Sequence, residues 1–540
     1  MQKHLHVIGI GGIGVSALAR YYKHLGYSVS GSDGSDSPFL ETLRNEGFEI
    51  FIGHNAKNLK DTSVLVIYSE AIITKPDLTP EEQIYTNPEL AKARDMSIRH
   101  ISYPVALGEV FNSKQGIAIA GSHGKSTTTA MTTLLLANEY SGNPTIEIPD
   151  NGSFAYMPTA PGCSAIIGTQ VPQLGNTNFY SEIGSEYFVI EACEYKRSFL
   201  QYRPYITVIT NIDLDHLDYY RDLEDYISAF QSLVDQTSGF VIISADDENS
   251  KKLDIPEEKK IIVGNAPLLR GDGDSQGGLI SKKPSHHPTI TYFPRVEEVC
   301  CNAKKCYNVE KSMPIPVMNL QVPGSHLLQD ANLAYTVGRL LGMQDDIIVP
   351  KLESYRGSWR RSEIVKLTEN GNILMSDYGH HPNEIKPTLG AIKEKYSDKK
   401  LFVVFQPHQY SRTRELLQEF AVSFGDVDTL IIPNIYFSRD KKEDVEWMIT
   451  EKLIGAIENA EKIKYPNQIE REEAKIEEVS SHPEKGGKGV CSDKNPWIIN
   501  GDGLSNTAKL IQEYDRENPN SSVILLLGAG DIDTIRYEIA

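Results

Sequence analysis

Three times along the chain, a run of apolar, mostly β-branched residues breaks at a glycine turn and gives way to alternating strand-like and helix-like stretches. The first unit opens at "HLHVIGIGGIGVSALARYYKHLG" and continues through "YSVSGSD" and "SVLVIYSEA". The second opens at "GIAIAGSHGKSTTT" and continues through "EYFVIEACE", "YITVITNIDLDH" and "GFVIISADD". The third holds "NILMSDYGHH", "KLFVVFQPH", "DTLIIPNIY" and "SVILLLGAGD". Near-continuous apolar runs predict strands buried on both faces, and the helical stretches between them predict parallel sheets covered on both sides. The pattern therefore predicts an α/β chain of three doubly wound domains: Rossmann-like at the N-terminus, a central phosphate-loop domain, and Rossmann-like again at the C-terminus. The breaks fall near Asn112–Gln115 and Lys351–Ser358, which gives domains at 1–113, 114–352 and 353–540. Charge and glycine dominate residues 270–287 and 470–495, which read as surface insertions with little to bury.

Charge narrows the class of ligand. The formal net charge is −19, from 54 Lys+Arg against 73 Asp+Glu. Such a chain repels nucleic acid and anionic membrane surfaces, so local loops must capture any phosphate it binds. No apolar run approaches the ~20 residues a membrane span needs, and "MQKHLHVIGIGG" enters a strand without a charged leader or cleavage site. A cytoplasmic protein without membrane insertion is expected, as monomer or homodimer. Six cysteines make no disulfide framework in so long a chain. Cys300, Cys301 and Cys306 fit no common zinc spacing and read as reduced thiols.

Four groups of residues carry candidate chemistry. Gly121-Ser122-His123-Gly124-Lys125-Ser126, with Thr127, follows a strand and opens a helix. There, backbone N–H groups and the helix N-terminus surround phosphate oxygens, Lys125 neutralises terminal phosphates, and the Ser126 hydroxyl suits a magnesium ion. The alternative is a plain glycine turn with a solvated lysine. The second group is "GIGGIG", Gly9 to Gly14, with Asp33 nineteen residues on. This spacing matches a dinucleotide fingerprint, and a UDP-linked ligand satisfies it as well as NAD does. Third, "VIEACEYKRSFL" and "TNIDLDHLDYY" place Glu191 and His216 just past strand ends, where they could hold metal over the phosphate loop. Fourth, "SWRRSEIV", "SDYGHHPNEI" and "QPHQYSRTRE" crowd Arg, His and Tyr at strand ends, which suits recognition of a carboxylate and a reacting phosphate as well as it suits a structural charge network.

Together, "HVIGIGGIGVSALA", "GSD", "GIAIAGSHGKSTTT", "EACEYKRSFL", "TNIDLDHLDYY", "WRRSE", "DYGHHPNEI" and "VVFQPHQYSRTRE" occur in the order seen in the Mur ligases, and the resemblance spans nearly the whole chain apart from the two insertions. The pairing of "DYGHHPNEI" with "QPHQYSRTR" is similar to the branch that joins L-alanine to UDP-N-acetylmuramate. The resemblance implies an ATP- and Mg2+-dependent reaction in peptidoglycan precursor synthesis. The lactyl carboxylate is phosphorylated, and the amine of L-alanine attacks the acyl phosphate. It further implies Lys125 on the terminal phosphates, Ser126 and Glu191 on magnesium, and His216 on a second metal and the acyl phosphate. Arg361 would contact the γ-phosphate, His326 and Asp330 the adenine, and Asp377 the ribose. Tyr378, His380 and Arg412 would surround the amino acid. Gly11, Gly12, Gly14, Asp33, His54 and Ser69 would surround the UDP moiety, which replaces the NAD reading of that turn.

Some positions depart from the family pattern. Gln409 stands where an arginine normally grips the amino-acid carboxylate, which leaves Ser or Gly as alternative amino acids. Leu327 and Asp330 stand where asparagines commonly face adenine. The stretch "DYISAFQSLVD" has no lysine to be carbamylated as a metal bridge. Rival readings are a Mur-type ligase for another acid, as in folylpolyglutamate synthesis, an NAD(P)-dependent oxidoreductase with a fused phosphate-loop module, and a nucleotide-gated scaffold.

Overall fold

The computed structural model describes residues 3–72, 79–138, 160–216, 219–264, 289–292, 313–322, 324–438, 440–464 and 498–539. Both insertions and the Cys300–Cys306 cluster fall outside the described residues.

The apolar runs form three mostly parallel sheets. The first contains β1 (His4–Ile8), β2 (Ser28–Asp33), β3 (Glu49–Ile52), β4 (Ser63–Tyr68) and β5 (Arg99–Ser102), in the order 3-2-1-4-5. Every pair in it is parallel. The second runs β14-β13-β12-β11-β10-β6-β9-β7-β8. Its centre is β6 (Gln115–Ala120), flanked by β9 (Tyr187–Glu191) and β10 (Ile206–Ile209). Beyond them lie β7 (Cys163–Val171), β8 (Thr177–Ser181), β11 (Phe240–Ser244), β12 (Lys260–Gly264), β13 (Thr289–Tyr292) and β14 (Met313–Pro314). Only its margins turn antiparallel. The third has the order β15-β16-β20-β17-β18-β19. It comprises β15 (Glu363–Leu367), β16 (Ile373–Asp377), β17 (Lys400–Phe405), β18 (Thr429–Ile432), β19 (Ile498–Asn500) and β20 (Ser522–Leu527).

Register decides where the motifs gather. Ile8 pairs with Ser32 and with Tyr68, so β1, β2 and β4 end level, at the point where strand order reverses. Ala120 pairs with Ile209, and Ile119 with Glu191, so the loops after β6, β9 and β10 share one edge. In the third sheet Leu527 pairs with both Asp377 and Phe405. The carboxyl ends of parallel strands at such reversals are where open α/β sheets bind ligands.

The chain divides into two compact units, Met1–Gln321 with Leu327–Tyr355, and Val322–His326 with Arg356–Ala540. The first unit holds two sheets because helix Ile13–His24 packs on β7 and β8 as well as on its own sheet. At that contact Arg20 donates to Asn178 and pairs with Glu46 at 2.6 Å, and Tyr21 meets Phe188 edge-on at 5.3 Å. Asn178 in turn donates to the Ile13 carbonyl and, at 3.1 Å, to Ser16 Oγ.

Helix Lys125–Leu136 is buried along its length after Lys125 and packs on β7 and β9. Its threonines are compatible with a helix because they bond back: Thr129 to the Lys125 carbonyl at 2.8 Å, Thr133 to the Thr129 carbonyl at 2.7 Å. Its C-terminus receives Lys351 Nζ, which donates to the Leu135 carbonyl at 3.0 Å and to that of Ala137. Burial pulls the Lys351 pKa down to about 8. No helix among the described residues is long and apolar enough to cross a membrane.

Candidate active site

In the first unit, the turn after β6 needs glycine at two positions. Gly121 has φ +135°, and a Cβ there would lie 2.0 Å from Thr210 Oγ1. Gly124 has φ +78°, and its Cβ would lie 2.5 Å from Oδ1 of buried Asp330. The turn is tied to the loop after β10. His123 N–H donates to Asn211 Oδ1 at 3.0 Å, the His123 carbonyl accepts from Thr210, and Ser122 Oγ donates to the Asp213 carbonyl at 2.6 Å. Thr127 is buried just inside the helix. Asp330 thus faces the phosphate loop itself.

Ser126 Oγ donates to Glu191 Oε2 at 2.7 Å. Space for that carboxylate comes from Gly168 on β7, where a Cβ would lie 1.9 Å from it. A hydroxyl and a carboxylate form a hard oxygen pair that fits magnesium, leaving other positions for water and phosphate. Among the described residues no group of three or more His, Cys, Asp and Glu could hold a metal without such outside ligands.

Lys125 Nζ donates to the carbonyls of Gly121 at 2.6 Å and Ser122 at 3.1 Å, and lies 3.0 Å from Glu194 Oε2. Burial opposes its charge, but Glu194, with Cys193 and Glu191 adding to it, outweighs burial, so its pKa stands above the ordinary lysine value. His216 Nε2 lies 3.3 Å from Glu194 Oε1. Its burial is outweighed by Glu194 and Asp215, which raise its pKa. Glu194 thus favours the protonated ring, whereas a ring nitrogen must be free of its proton to ligate metal.

In the N-terminal sheet, Gly11 N–H donates to Asp33 Oδ2 at 2.8 Å. A Cβ on Gly9 would lie 2.8 Å from Ser69 Cβ, so the turn after β1 rests on the end of β4. Gly12 precedes the helix without a side-chain cap, and a Cβ on Gly14 would lie 2.6 Å from the Tyr103 hydroxyl. Burial raises the Tyr103 pKa, and the charge of Glu191 adds to the effect. His54 Nδ1 lies 3.0 Å from Ser32 Oγ. That hydroxyl donates to fully buried Glu89 at 2.6 Å, which also accepts from Asn58 Nδ2 at 2.6 Å and Asn55 N–H at 3.1 Å.

The second unit gathers the remaining candidates. Asp377 closes β16, and its carboxylate accepts from Ser362 N–H at 2.7 Å and Gly379 N–H at 2.8 Å. Burial raises its pKa against those two bonds. Arg360 is buried and donates to the Gly528 carbonyl. Arg361 instead lies over the Tyr378 ring at 4.9 Å. His380 Nδ1 meets the Tyr378 carbonyl at 3.1 Å, and its ring stands edge-on to His408 at 5.9 Å. Burial lowers the His380 pKa to about 4, with Arg412 adding to the effect. Arg412 is half-buried. His326 feels Asp377 and Glu384, although burial keeps its pKa below the ordinary value. Gln409 has φ +77°, and its Nε2 donates to the Ser438 carbonyl at 3.0 Å. Its amide is thus committed to its own loop.

Three family profiles match the chain: Mur ligase family, catalytic domain, over 4–115; Mur ligase middle domain, over 119–264; and Mur ligase, glutamate ligase domain, over 360–481. A UDP-N-acetylmuramate--L-alanine ligase of Clostridium novyi is 38% identical over 449 residues, covering 82% of this chain and 85% of the relative. The chain belongs to the Mur ligase family. A Mur ligase of the same description from Clostridium botulinum is 35% identical over 458 residues, covering 84% of this chain and 87% of its own. In fold, the chain is similar to the UDP-N-acetylmuramate-alanine ligase of Thermotoga maritima, with TM-score 0.65 and 22% identity over 99% of this chain and 98% of that one. It is also similar to a murein peptide ligase of Psychrobacter arcticus, with TM-score 0.55 and 20% identity over 99% and 97%. The three doubly wound sheets are thus those of a Mur ligase, and the oxidoreductase alternative finds no support among these relatives.

Sequence reasoning did not single out Glu194, Tyr103 or Glu89 in this Mur ligase. Glu194 was visible only as the second acid of "EACE", and Glu89 only as the acid of an "NPEL" helix start.

Proposed function

We propose that this Mur ligase joins L-alanine to the lactyl carboxylate of UDP-N-acetylmuramate at the expense of ATP. A carboxylate is a poor acyl donor, so one of its oxygens takes the γ-phosphoryl group while the bond from that phosphorus to the ADP oxygen breaks. The alanine amine then adds to the acyl carbon, phosphate leaves through a tetrahedral intermediate, and the nitrogen gives up a proton. Catalysis of this kind is chiefly positioning and charge neutralisation.

Lys125 neutralises the transferring phosphates, while backbone N–H groups of residues 121–127 cradle them. Ser126 and Glu191 would hold magnesium, which supplies further neutralisation of phosphate charge. His216 is linked to Lys125 through Glu194, and in this reading it serves a second metal and the acyl phosphate. The turn at Gly11, Gly12 and Gly14, with Asp33, His54 and Ser69, takes the UDP moiety. Arg361, over the Tyr378 ring, supplies a cation for the γ-phosphate. His326 and Asp377 take adenine and ribose. Tyr378, His380 and Arg412 receive the amino acid. In this reading residues 1–113, 114–352 and 353–540 serve as UDP-substrate, ATP and amino-acid domains of a cytoplasmic enzyme.

One observation carries the reading: Tyr103 lies against Gly14 and within electrostatic reach of Glu191. A single ligand can therefore hold one end at the N-terminal turn and present an acid at the phosphate loop. Phosphate release is measured with ATP, magnesium, UDP-N-acetylmuramate and a panel of free amino acids. Release requires both acid and amine, and L-alanine gives the highest kcat/KM. Release that ignores the UDP-sugar overturns the reading.

A further inference from the structure

An ammonium group has three hydrogens to donate. Lys125 Nζ already has four oxygen neighbours: Gly121 O at 2.6 Å, Ser122 O at 3.1 Å, and both Glu194 oxygens at 3.0 and 3.2 Å. Its hydrogen-bonding capacity is filled from within the protein. Glu194 is the anionic part of that set and is only 1% exposed. It is held from behind: its carbonyl accepts from Arg197 N–H at 2.8 Å and from the Tyr220 hydroxyl. Lys196 and Arg197, just beyond it, both adopt left-handed backbone conformations, φ 52° and 58°. A strained turn that survives folding is maintained by its surroundings, and here it fixes a carboxylate that reaches both Lys125 and His216.

We infer that Glu194 is a positioning residue: a stand-in anion that holds Lys125 against its own loop and His216 beside it until a nucleotide phosphate takes over the lysine. The inference rests on the ATP reading of the loop. A phosphate that engages Lys125 must displace donor capacity now given to Glu194 and the two carbonyls. Replacing the carboxylate by a neutral amide removes this competitor, leaving a buried cation whose best available partner is the ligand. The same change releases His216 from its partner. Affinity for nucleotide and turnover should therefore move in opposite senses, which loss of structure alone does not produce.

The test is calorimetric titration of the full chain with a non-hydrolysable ATP analogue in the absence of divalent metal, so that no bridging ion intervenes. Glu194→Gln is expected to bind the analogue roughly tenfold more tightly than the parent protein, a change of about 1.4 kcal/mol. Its kcat in the complete magnesium-containing assay should fall at least tenfold. Glu194→Asp, which keeps the charge but shortens its reach, should tighten binding about threefold, and it serves if the glutamine variant does not fold. In a Lys125→Ala background the gain should vanish. Equal or weaker binding by both Glu194 variants, or tightening that persists without Lys125, overturns the inference. Failure of the parent protein to bind the analogue, or undiminished binding by Lys125→Ala, overturns the ATP reading itself and the inference with it.

Discussion

Gly124→Ala isolates the part of the phosphate loop that packing demands. With φ +78° the residue is in the left-handed region, which costs an alanine roughly 1–2 kcal/mol. The new methyl group would then lie 2.5 Å from Oδ1 of Asp330, a buried carboxylate on helix Ser325–Leu340 that cannot swing into solvent. Relief requires a shift of the helix or the loop, and overpacking of this kind costs roughly 1–3 kcal/mol. The two contributions predict a total loss of about 2–5 kcal/mol. Urea denaturation of the full chain measures it at the transition that an ATP analogue shifts upward. A double-mutant cycle with Asp330→Ala separates the contributions, since removal of the carboxylate leaves only the backbone cost. The expected coupling is about 1–3 kcal/mol in favour of the double variant. A loss below about 1 kcal/mol, or strict additivity of the two substitutions, would refute the reasoning.

Three further outcomes follow from the same geometry. Lys125→Ala should abolish product formation yet leave UDP-N-acetylmuramate affinity intact by calorimetry, because the N-terminal turn does not use that lysine; loss of UDP-sugar binding would contradict the division of roles. Burial holds the His380 pKa near 4 against an ordinary 6.5, so between those values the unfolded chain binds a proton the folded chain does not. The stability from that neutral ring is whole above about pH 6.5 and is lost as pH falls toward 4; His380→Gln should flatten the stability slope between pH 7 and pH 5, and an unchanged slope would count against it. Glu89→Ala removes a buried acceptor shared by the Ser32 hydroxyl, Asn58 Nδ2 and Asn55 N–H, which leaves Ser32 with His54 alone and Asn58 Nδ2 with the Gly53 carbonyl; it should cost about 1–3 kcal/mol in denaturation and weaken UDP-sugar binding through His54; wild-type behaviour in both assays would remove Glu89 from the site.

The strands and the phosphate loop were legible because each depends on a local pattern. β-branched runs bounded by glycine read as buried parallel strands, and a Gly-Lys-Ser turn at a strand end has a chemical purpose independent of the rest of the chain. What the sequence hid depends on distance along it. Glu194 meets Lys125 across 69 positions, and strand periodicity offers no way to choose it over its neighbours. Its placement comes from two successive left-handed residues, Lys196 and Arg197, neither of a type that favours that conformation. Asp330 was read through its family position near adenine; that its helix also lays the carboxylate against Gly124 depends on packing the sequence does not display. The packing of the first two sheets into one unit was hidden for another reason: Arg20 and Asn178 are polar, and nothing in the apolar pattern reveals that they are buried together.

The central claim is that an oxygen of the acid takes the terminal phosphoryl group beside Lys125. It is tested most directly by labelling both oxygens of the lactyl carboxylate of UDP-N-acetylmuramate with oxygen-18 and analysing the phosphate released in the presence of ATP, magnesium and L-alanine. Transfer through an acyl phosphate predicts one labelled oxygen in each phosphate, with Lys125→Ala releasing none. Phosphate free of label while the amide product accumulates would contradict the account.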